Sequence, residues 1–335
     1  MAPHDRRALK SAARNSLAAA PYDPKKIILI HTGITVAVSL IGTLINFILG
    51  QQIQHTGGLS GLGVRSMLST AQSVLQELVA VVLPFWEAGY CFATMNMARD
   101  KEAAPSNLLE GFRRFGPLLR AFMLQLVIYM VISITCFLIS SQIFMMTPLS
   151  NPLFEIVESI SMDAAMIESE LLLDEATALA MMEAYTPMLL IFLVVFLVVV
   201  LIVSYRFRMV NFLLLDHPGM KAMEALRMSG YQLRGHKAAL FKLDLSFLWF
   251  YVLQTVASLL AYGDYLLALF EVPLPVSAEA AFFGFLILSL ICQGGLYVWV
   301  RNRIGVTYAK FYCLTALPAP KESATDTNNN PWQNQ

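Results

Sequence analysis

Ionisable residues interrupt otherwise apolar segments of the sequence, among them His31, Glu87, Arg206 and Asp244. A charged side chain in the hydrocarbon core of a bilayer costs about 2.5–3.5 kcal/mol on insertion scales, so each needs an ion-pair partner or a water-filled cavity. Such residues can pair structurally, line a cavity for an ion or ligand, or take part in catalysis. We favour structural pairing, in which Glu87 or Asp244 binds Arg206 or protonated His31.

No sequence motif for catalysis or metal binding accompanies these residues. The chain has no Gly-rich phosphate loop, no H-E-x-x-H and no G-x-S-x-G, and its five histidines are widely dispersed. Its four cysteines form no CxxC pair or Cys/His cluster. We therefore expect no catalytic residue, no metal and no cofactor. Nothing in the sequence indicates nucleic-acid binding.

The composition indicates a membrane protein. Apolar residues make up 57% of the chain and charged residues 14%, with a mean hydropathy of +0.61. Soluble domains average about 45–50% apolar residues and about 25% charged residues. Crossing a bilayer takes about 20 helical residues. Six segments satisfy this requirement, near 27–49, 70–97, 118–146, 187–210, 240–262 and 280–301.

The distribution of basic residues predicts the orientation of these spans. From Ala121 to Tyr205 the chain has no Lys or Arg, but eight acidic residues lie in the middle of this stretch. A cytoplasmic N-terminus places 22 of the 23 basic residues on the cytoplasmic side, as the positive-inside rule requires. We predict cytoplasmic termini, one membrane domain over 1–317, an acidic outer loop at 147–186 and a disordered tail at 318–335.

An internal repeat divides the chain into similar units. The pattern E-x-[FL]-R-x-x-G-x-x-L-R occurs twice, as Glu110, Arg113, Gly116 and Arg120 and as Glu224, Arg227, Gly230 and Arg234. A second pattern recurs where the even-numbered spans end, as Tyr90 with Asn96, Tyr205 with Asn211 and, more loosely, Tyr297. We interpret the chain as three parallel membrane hairpins, each preceded by a cytoplasmic amphipathic helix. Many secondary transporters have inverted repeats instead.

The amphipathic segments carry an apolar stripe flanked by basic residues. Such helices can lie in the membrane interface, where each basic group near anionic headgroups contributes about 1 kcal/mol. We expect Gly116 and Gly230 to end these helices, because glycine tolerates the conformations found at helix ends. The tyrosines and Trp86 fit an aromatic belt, and Asn96 and Asn211 are candidates for capping.

The segment from Ser229 to Trp249, SGYQLRGHKAALFKLDLSFLW, resembles the most recognisable block of a bacterial integral-membrane family, domain-of-unknown-function family 975. The resemblance extends to residues 7–10, to Gly111, Phe112 and Phe115, and to residues 307–312. It implies six helices in the bacterial inner membrane and no established activity. The long acidic outer loop departs from the family pattern. The family is also distantly similar to the membrane portion of certain glycerophosphodiester phosphodiesterases.

Two functions fit these observations. The first is a non-enzymatic membrane component, a scaffold or accessory subunit whose basic helices contact anionic lipids or an unidentified protein. The second is a permease or channel-like protein in which Glu87, Arg206 and Asp244 line a cavity. We favour the first, since the repeats are parallel and no transport motif is present.

Overall fold

The computed structural model describes residues 5–55, 62–166, 175–263, 266–267 and 277–316. Within these ranges the chain forms helices and no β-strand, which confirms the predicted all-α class. The helices are α1 (Arg6–Ala19), α2 (Pro24–His55), α3 (Leu62–Ala98), α4 (Glu110–Arg113), α5 (Phe115–Met145), α6 (Asn151–Met166), α7 (Glu175–Phe207), α8 (Val210–Asp216), α9 (Ala222–Gln232), α10 (Lys237–Leu245), α11 (Leu248–Leu259), α12 (Ala278–Leu296) and α13 (Asn302–Thr315). The predicted tail and part of the predicted acidic loop lie outside the described residues.

Among the described residues, five helical stretches are long and apolar enough to cross a membrane. They are Pro24–Gly50, Ser66–Ala98, Phe115–Met145, Leu179–Asp216 and Ala280–Thr315. A sixth candidate is the pair α10 and α11, which together pass the same test but are bent by 52°. The structure therefore supports the predicted class, a polytopic membrane protein.

The bend between α10 and α11 was not predicted, because the sequence reads as one apolar segment there. The hydroxyl of Ser246 donates to the carbonyl of Leu243 at 2.6 Å, and the amide of Phe247 bonds to the carbonyl of Asp244 at 2.9 Å. A serine hydroxyl bonded to the preceding turn competes with the helical backbone pattern and bends helices. The helix consequently breaks at Ser246 and Phe247.

The helices pack into two compact units, and the single membrane domain over 1–317 stays a prediction. The first unit comprises 1–114 and 231–335, and the second comprises 115–230. The second unit thus contains the middle predicted hairpin, α5 and α7, with its acidic connection. The first unit combines the first and third predicted hairpins.

The buried core of the first unit lies at the end of the spans that carries the basic residues. Along residues 83–108 and 300–313, all of which the structure describes, no large apolar side chain is exposed. The first large exposed apolar side chains beyond this core are Leu29 in α2, Val82 in α3 and Trp299 just before α13. We call α1 together with 83–113 and 300–315 the head.

The head exists because the helices are longer than a bilayer requires. The 37 residues of α3 span about 55 Å, whereas the hydrocarbon core is about 30 Å thick. In the head, α1 and α13 both pack against α3. Tyr90 of α3 and Ile304, Phe311 and Tyr312 of α13 are fully buried in this core.

Two glycines allow one backbone to cross another inside the head. A Cβ atom on Gly89 would lie 1.8 Å from the carbonyl oxygen of Leu108, and one on Gly111 would lie 1.9 Å from the carbonyl oxygen of Phe85. The 3₁₀ turn Pro105–Leu109 and α4 therefore lie directly on the backbone of α3. The first copy of the repeated motif begins in this crossing, at Glu110.

In the second unit, α5 and α7 pack along each other, and α6 packs against α7. The side chains of Phe144, Leu153, Ala184 and Met188 form a buried cluster among the three helices. Pro187 is accommodated inside α7, which begins at Glu175 and so extends well before the predicted start of this span.

The two motif glycines do not end helices, contrary to our expectation. Gly116 is the second residue of α5, and Gly230 lies inside α9. A Cβ atom on Gly230 would lie 3.1 Å from Nε of Arg206, so this glycine makes room for a side chain. The positive φ angles that glycine tolerates occur instead at Gly219 (102°) and Gly235 (78°), where the chain turns before α9 and before α10.

The backbone crossing predicts a steep stability difference among Gly→Ala variants. We expect Gly89→Ala and Gly111→Ala each to destabilise the protein by about 3 kcal/mol or more, the upper end for overpacking, because the atoms met are backbone atoms. Thermal unfolding of the purified protein in detergent would measure this loss. Matched controls are Gly33→Ala and Gly42→Ala in α2, where a Cβ meets nothing within 4 Å. If all four variants unfold at the same temperature, the crossing is wrong.

Candidate functional site

The structure brings two of the four predicted ionisable residues together where the spans of the first unit enter the head. Nε2 of His31 in α2 lies 3.5 Å from Oε2 of Glu87 in α3. The guanidinium of Arg301 donates a hydrogen bond to Oε1 of the same carboxylate and forms an ion pair with it. We call His31, Glu87, Tyr90, Arg301 and Asn302 the junction cluster.

Arg301 is the member of this cluster that the sequence analysis missed. We had counted it among the basic residues at the end of the last predicted span, 280–301, whereas the helix continues well past it. A π-helical turn, Tyr297–Arg301, joins α12 to α13 without a break, and Arg301 is its last residue. The available signal was the absence of any proline between 279 and 316, since a helix without breakers can extend past the apolar stretch.

Aromatic rings surround the charged groups of the junction cluster. The guanidinium carbon of Arg301 lies 5.8 Å from the ring centroid of Tyr90 and 5.6 Å from that of Tyr297. The imidazole of His31 stacks on Trp86 with centroids 5.6 Å apart and planes only 4° from parallel. A cation over an aromatic face contributes about 0.5–1 kcal/mol when exposed and more when desolvated. The rings therefore support the ion pair on its less exposed side.

A hydrogen-bonded chain links three helices beside the ion pair. The hydroxyl of Tyr90 donates to Oδ1 of Asn302 at 2.9 Å, and the amide of Asn302 donates to the carbonyl of Pro24 at 2.6 Å. Trp86 donates from its indole nitrogen to the carbonyl of His31 at 3.2 Å. Each bond joins a different pair of helices among α2, α3 and α13. The cluster thus fixes the positions at which these helices enter the head.

The predicted aromatic belt is only partly correct. Tyr90 and Trp86 are 2% and 8% exposed and face the protein interior, because they pack on His31 and bond to other helices. Trp299 is 62% exposed, as a ring in the membrane interface would be. Of the repeated asparagines, Asn96 accepts the amides of Arg99 and Lys101 on its backbone carbonyl and so closes the turn after α3.

Asp244 belongs to a different contact, between α10 and α13. The hydroxyl of Tyr308 donates to Oδ1 of Asp244. Nearby in the chain, the ammonium of Lys10 donates to the carbonyl of Ser246 at 3.3 Å and lies 4.1 Å from the ring centroid of Phe247. Burial of the ammonium group, followed by the charges of Arg6 and Arg14, lowers the pKa of Lys10. These contacts attach α1 and α13 to the bent span.

Arg206 lies in the second unit, near the end of α7. Its side chain is exposed and passes over Gly230, and its backbone carbonyl accepts a hydrogen bond from Ser229 at 2.8 Å. The predicted pairing of Arg206 with Glu87 or Asp244 has no support in the structure, where Arg301 binds Glu87 and Tyr308 binds Asp244. Spacing along the sequence alone does not distinguish Arg301 from Arg206 as the ion-pair partner of Glu87.

The repeated E-x-[FL]-R motif is used differently in its two copies. Glu110 pairs with Arg113 at 2.8 Å, as residues three apart on a helix can, and its other oxygen lies 3.7 Å from Arg114. The guanidinium of Arg234 stacks on Tyr231 at 5.4 Å, whereas Arg120 lines a groove. The exposed side chains of Glu224 and Arg227 lie on α9, and that of Asn211 lies on α8. Tyr205, near the end of α7, is half-buried.

The chemistry of the junction cluster is that of a structural ion pair. Glu87 is 38% exposed and Arg301 is 21% exposed, so the pair is only partly removed from solvent. Among the described residues, no three His, Cys, Asp or Glu side chains converge as metal ligands would. The cluster joins helices, and each of its charged groups faces a group of opposite charge or an aromatic ring.

Together, the spans and the head define an all-α membrane protein with several transmembrane helices. The chain belongs to the family described as "Protein of unknown function (DUF975)", which it matches over residues 1–316. This match confirms the resemblance found in the sequence, and the family brings no activity with it. Searches among curated proteins and among solved structures found no match. The similarity to phosphodiesterase membrane portions stays a prediction.

The ion pair predicts that Glu87 and Arg301 are energetically coupled. We expect Glu87→Gln and Arg301→Gln each to destabilise the protein by about 1–3 kcal/mol, because each leaves one charge without its partner. The double variant should lose less than the sum of the two single losses. Unfolding of the four proteins in detergent gives this double-mutant cycle.

The control is Arg113→Gln, because Arg113 is 65% exposed and Arg114 remains beside the Glu110 carboxylate; this variant should cost no more than about 0.5–1 kcal/mol. Strictly additive losses at 87 and 301 would show that the ion pair contributes nothing.

Proposed function

We propose that this protein is a non-enzymatic scaffold of the bacterial plasma membrane whose head holds cations against anionic lipid headgroups. One observation carries the proposal: the apolar face of α1 is occupied by the protein itself. Leu9, Ala13 and Ser16 are buried, and α1 packs on α13 and α3. Three of the four cations of α1, Arg6, Arg7 and Arg14, consequently remain exposed on a helix of fixed position.

Polar contacts at both ends of α1 hold it in place. The side chain of Asp5 accepts hydrogen bonds from the amides of Arg7 and Ala8 at 3.0 and 3.1 Å, which caps the helix. The hydroxyl of Ser16 donates to Asp100 at 2.6 Å. This docking differs from our sequence interpretation, in which the apolar stripe of such a helix would lie in lipid. The stripe stabilises the head, and the basic face is left for an external ligand.

The position of α1 along the chain places its cations close to the membrane surface. Only four residues separate it from α2, which begins at Pro24. Lys25 and Lys26 are exposed in the first turn of α2, and the first large apolar side chain exposed on that helix, Leu29, follows within one turn. The cationic surface therefore adjoins the start of the lipid-facing surface. Each Lys or Arg of such a surface contributes about 1 kcal/mol to the free energy of binding to anionic headgroups.

The same charge distribution supports a cytoplasmic head. Anionic lipids give the cytoplasmic leaflet its negative surface potential, and positive loops stay on that side. In this orientation the N-terminus and the C-terminal end of α13 are both cytoplasmic. The exposed basic surface would also be available to an acidic protein partner.

A permease or channel is the alternative, and the contacts of the carboxylates favour it less. A cavity lined by Glu87 and Asp244 would need these groups available to a passing ion. Glu87 instead binds Arg301 and faces His31, and Asp244 accepts a hydrogen bond from Tyr308. These pairings support a packed bundle in the first unit.

The proposal predicts that α1 confers a salt-sensitive response to anionic lipid. We expect short-chain phosphatidylglycerol to raise the midpoint of thermal unfolding in neutral detergent more than phosphatidylcholine does, since a ligand that binds the folded state stabilises it. In Arg6→Gln/Arg7→Gln/Arg14→Gln the salt-sensitive part of this difference should fall, leaving only the contribution of Lys25 and Lys26. Gln is a good helix former, so α1 itself should persist.

The matched control is Arg6→Lys/Arg7→Lys/Arg14→Lys, which keeps the charges and should keep the response. Added salt at about 0.5 M, where the screening length is below about 5 Å, should abolish that part of the response in the wild type. A full response in the Gln variant would contradict the proposal.

A further inference from the structure

The second unit contains a groove that neither the head nor the junction cluster uses. Its volume is about 700 Å³, within the range of pockets that bind small ligands. The first turns of α5 form one wall, and the turn before α9 forms the other. The lining residues are Pro117, Leu119, Arg120, Met123, Leu124, Val127, Gly219, Met220, Lys221, Ala222 and Met223.

The lining combines two cations with an apolar strip. Arg120 and Lys221 are exposed and are the charged residues of this lining. The strip on α5 consists of Met123, Leu124 and Val127. From Arg120 to Val127 the groove follows α5 for about 10 Å, at 1.5 Å per residue. Arg120 thus lies near the start of the span, and the apolar strip lies further along it.

The second wall is shaped by a defined turn. Gly219 has a φ of 102°, a conformation in which a side chain would be strained, and the amide of Met220 bonds to the carbonyl of His217 at 3.2 Å. The carbonyl of Lys221 accepts the amide of Ala225 at 3.0 Å, at the start of α9. Ala225 and Leu226 are buried in turn. The backbone of this wall is therefore held in place by its own hydrogen bonds and buried side chains, without a ligand.

We propose that this groove binds one anionic phospholipid. Its phosphate would lie between Arg120 and Lys221, and one acyl chain would follow Met123, Leu124 and Val127. The order of charged and apolar groups along the groove is that of a phospholipid whose headgroup lies at the end of the span. A neutral amphiphile would leave both cations without a counter-charge, whereas a free anion would leave the apolar strip exposed. The charge and shape of the groove together favour an anionic lipid.

This site is independent of the basic surface on α1. It belongs to the second unit, and its ligand is held by apolar contact as well as by charge. Binding at the groove should therefore resist salt, whereas headgroup contacts on α1 should not. This difference allows the two proposals to fail separately.

The test is lipid retention by the full chain. The protein would be reconstituted in bilayers of equal parts phosphatidylglycerol and phosphatidylcholine, extracted in mild detergent, washed with salt at about 0.5 M and weighed by native mass spectrometry. We expect one retained phosphatidylglycerol per chain. In Arg120→Gln/Lys221→Gln the preference for phosphatidylglycerol over phosphatidylcholine, measured before the salt wash, should fall about twenty-five-fold, a factor of about five for each cation.

Two further variants test separately how the charge and the shape of the groove affect lipid retention. Arg227→Gln/Lys237→Gln removes two exposed cations that do not line the groove and should leave retention unchanged. Met123→Trp fills the apolar strip while both cations remain, so it should abolish retention of the lipid. Because Met123 is 42% exposed, this change should not disturb the core.

Several outcomes would overturn the proposal. Equal retention of the two lipids, or no retained lipid after the wash, would show that the groove has no anionic-lipid site. A dimer peak that disappears in Met123→Trp would identify a second copy of the chain as the occupant. Loss of retention in Arg6→Gln/Arg7→Gln/Arg14→Gln, but not in the groove variants, would assign the lipid to the head instead.

Discussion

The ion pair between Glu87 and Arg301 is the interaction on which the first unit depends. It joins α3 to the end of the π-helical turn, and Tyr90 and Asn302 extend the connection to the start of α2. A partly exposed ion pair contributes little by itself, but removing one partner leaves a charge at the end of an apolar span. The pair is surrounded by aromatic rings and lies between the lipid-facing surface and the head. Its position explains why a glutamate is tolerated within this segment.

The head gives the repeated motif a structural meaning. Its first copy begins in the crossing where Gly89 and Gly111 bring two backbones into contact. In the second copy Ser229 and Gly230 lie against the end of α7, where Ser229 bonds to the backbone on both sides of the turn, at Arg206 and Met209. In both places a small residue lets a short segment approach a spanning helix closely. The small residues occupy different positions of the repeat, because a Cβ atom on the motif glycine Gly116 would meet nothing within 4 Å, and the arginines also differ in their contacts.

Hydropathy and charge were sufficient to predict the fold class, because each span must satisfy the bilayer locally. The head was not predictable in the same way. Its core is formed by Leu9, Tyr90 and Tyr312, which are distant in sequence, and of these only Tyr90 had been singled out, as an interface residue. For the site, the need for a partner to Glu87 was correctly deduced, but the choice of Arg301 depends on helix length and on the π-helical turn. Neither of these can be derived from hydrophobic periodicity.

The order in which the chain is made has a consequence for the first unit. Arg301 follows Glu87 by 214 residues, and the whole of the second unit lies between them. At about 5–20 residues per second, roughly 10–40 s of synthesis separate the two residues. During this interval the inner face of α3, which α13 later covers, has no permanent neighbour. The packing of α3, in the N-terminal half of the chain, is therefore completed only when α13 emerges from the ribosome.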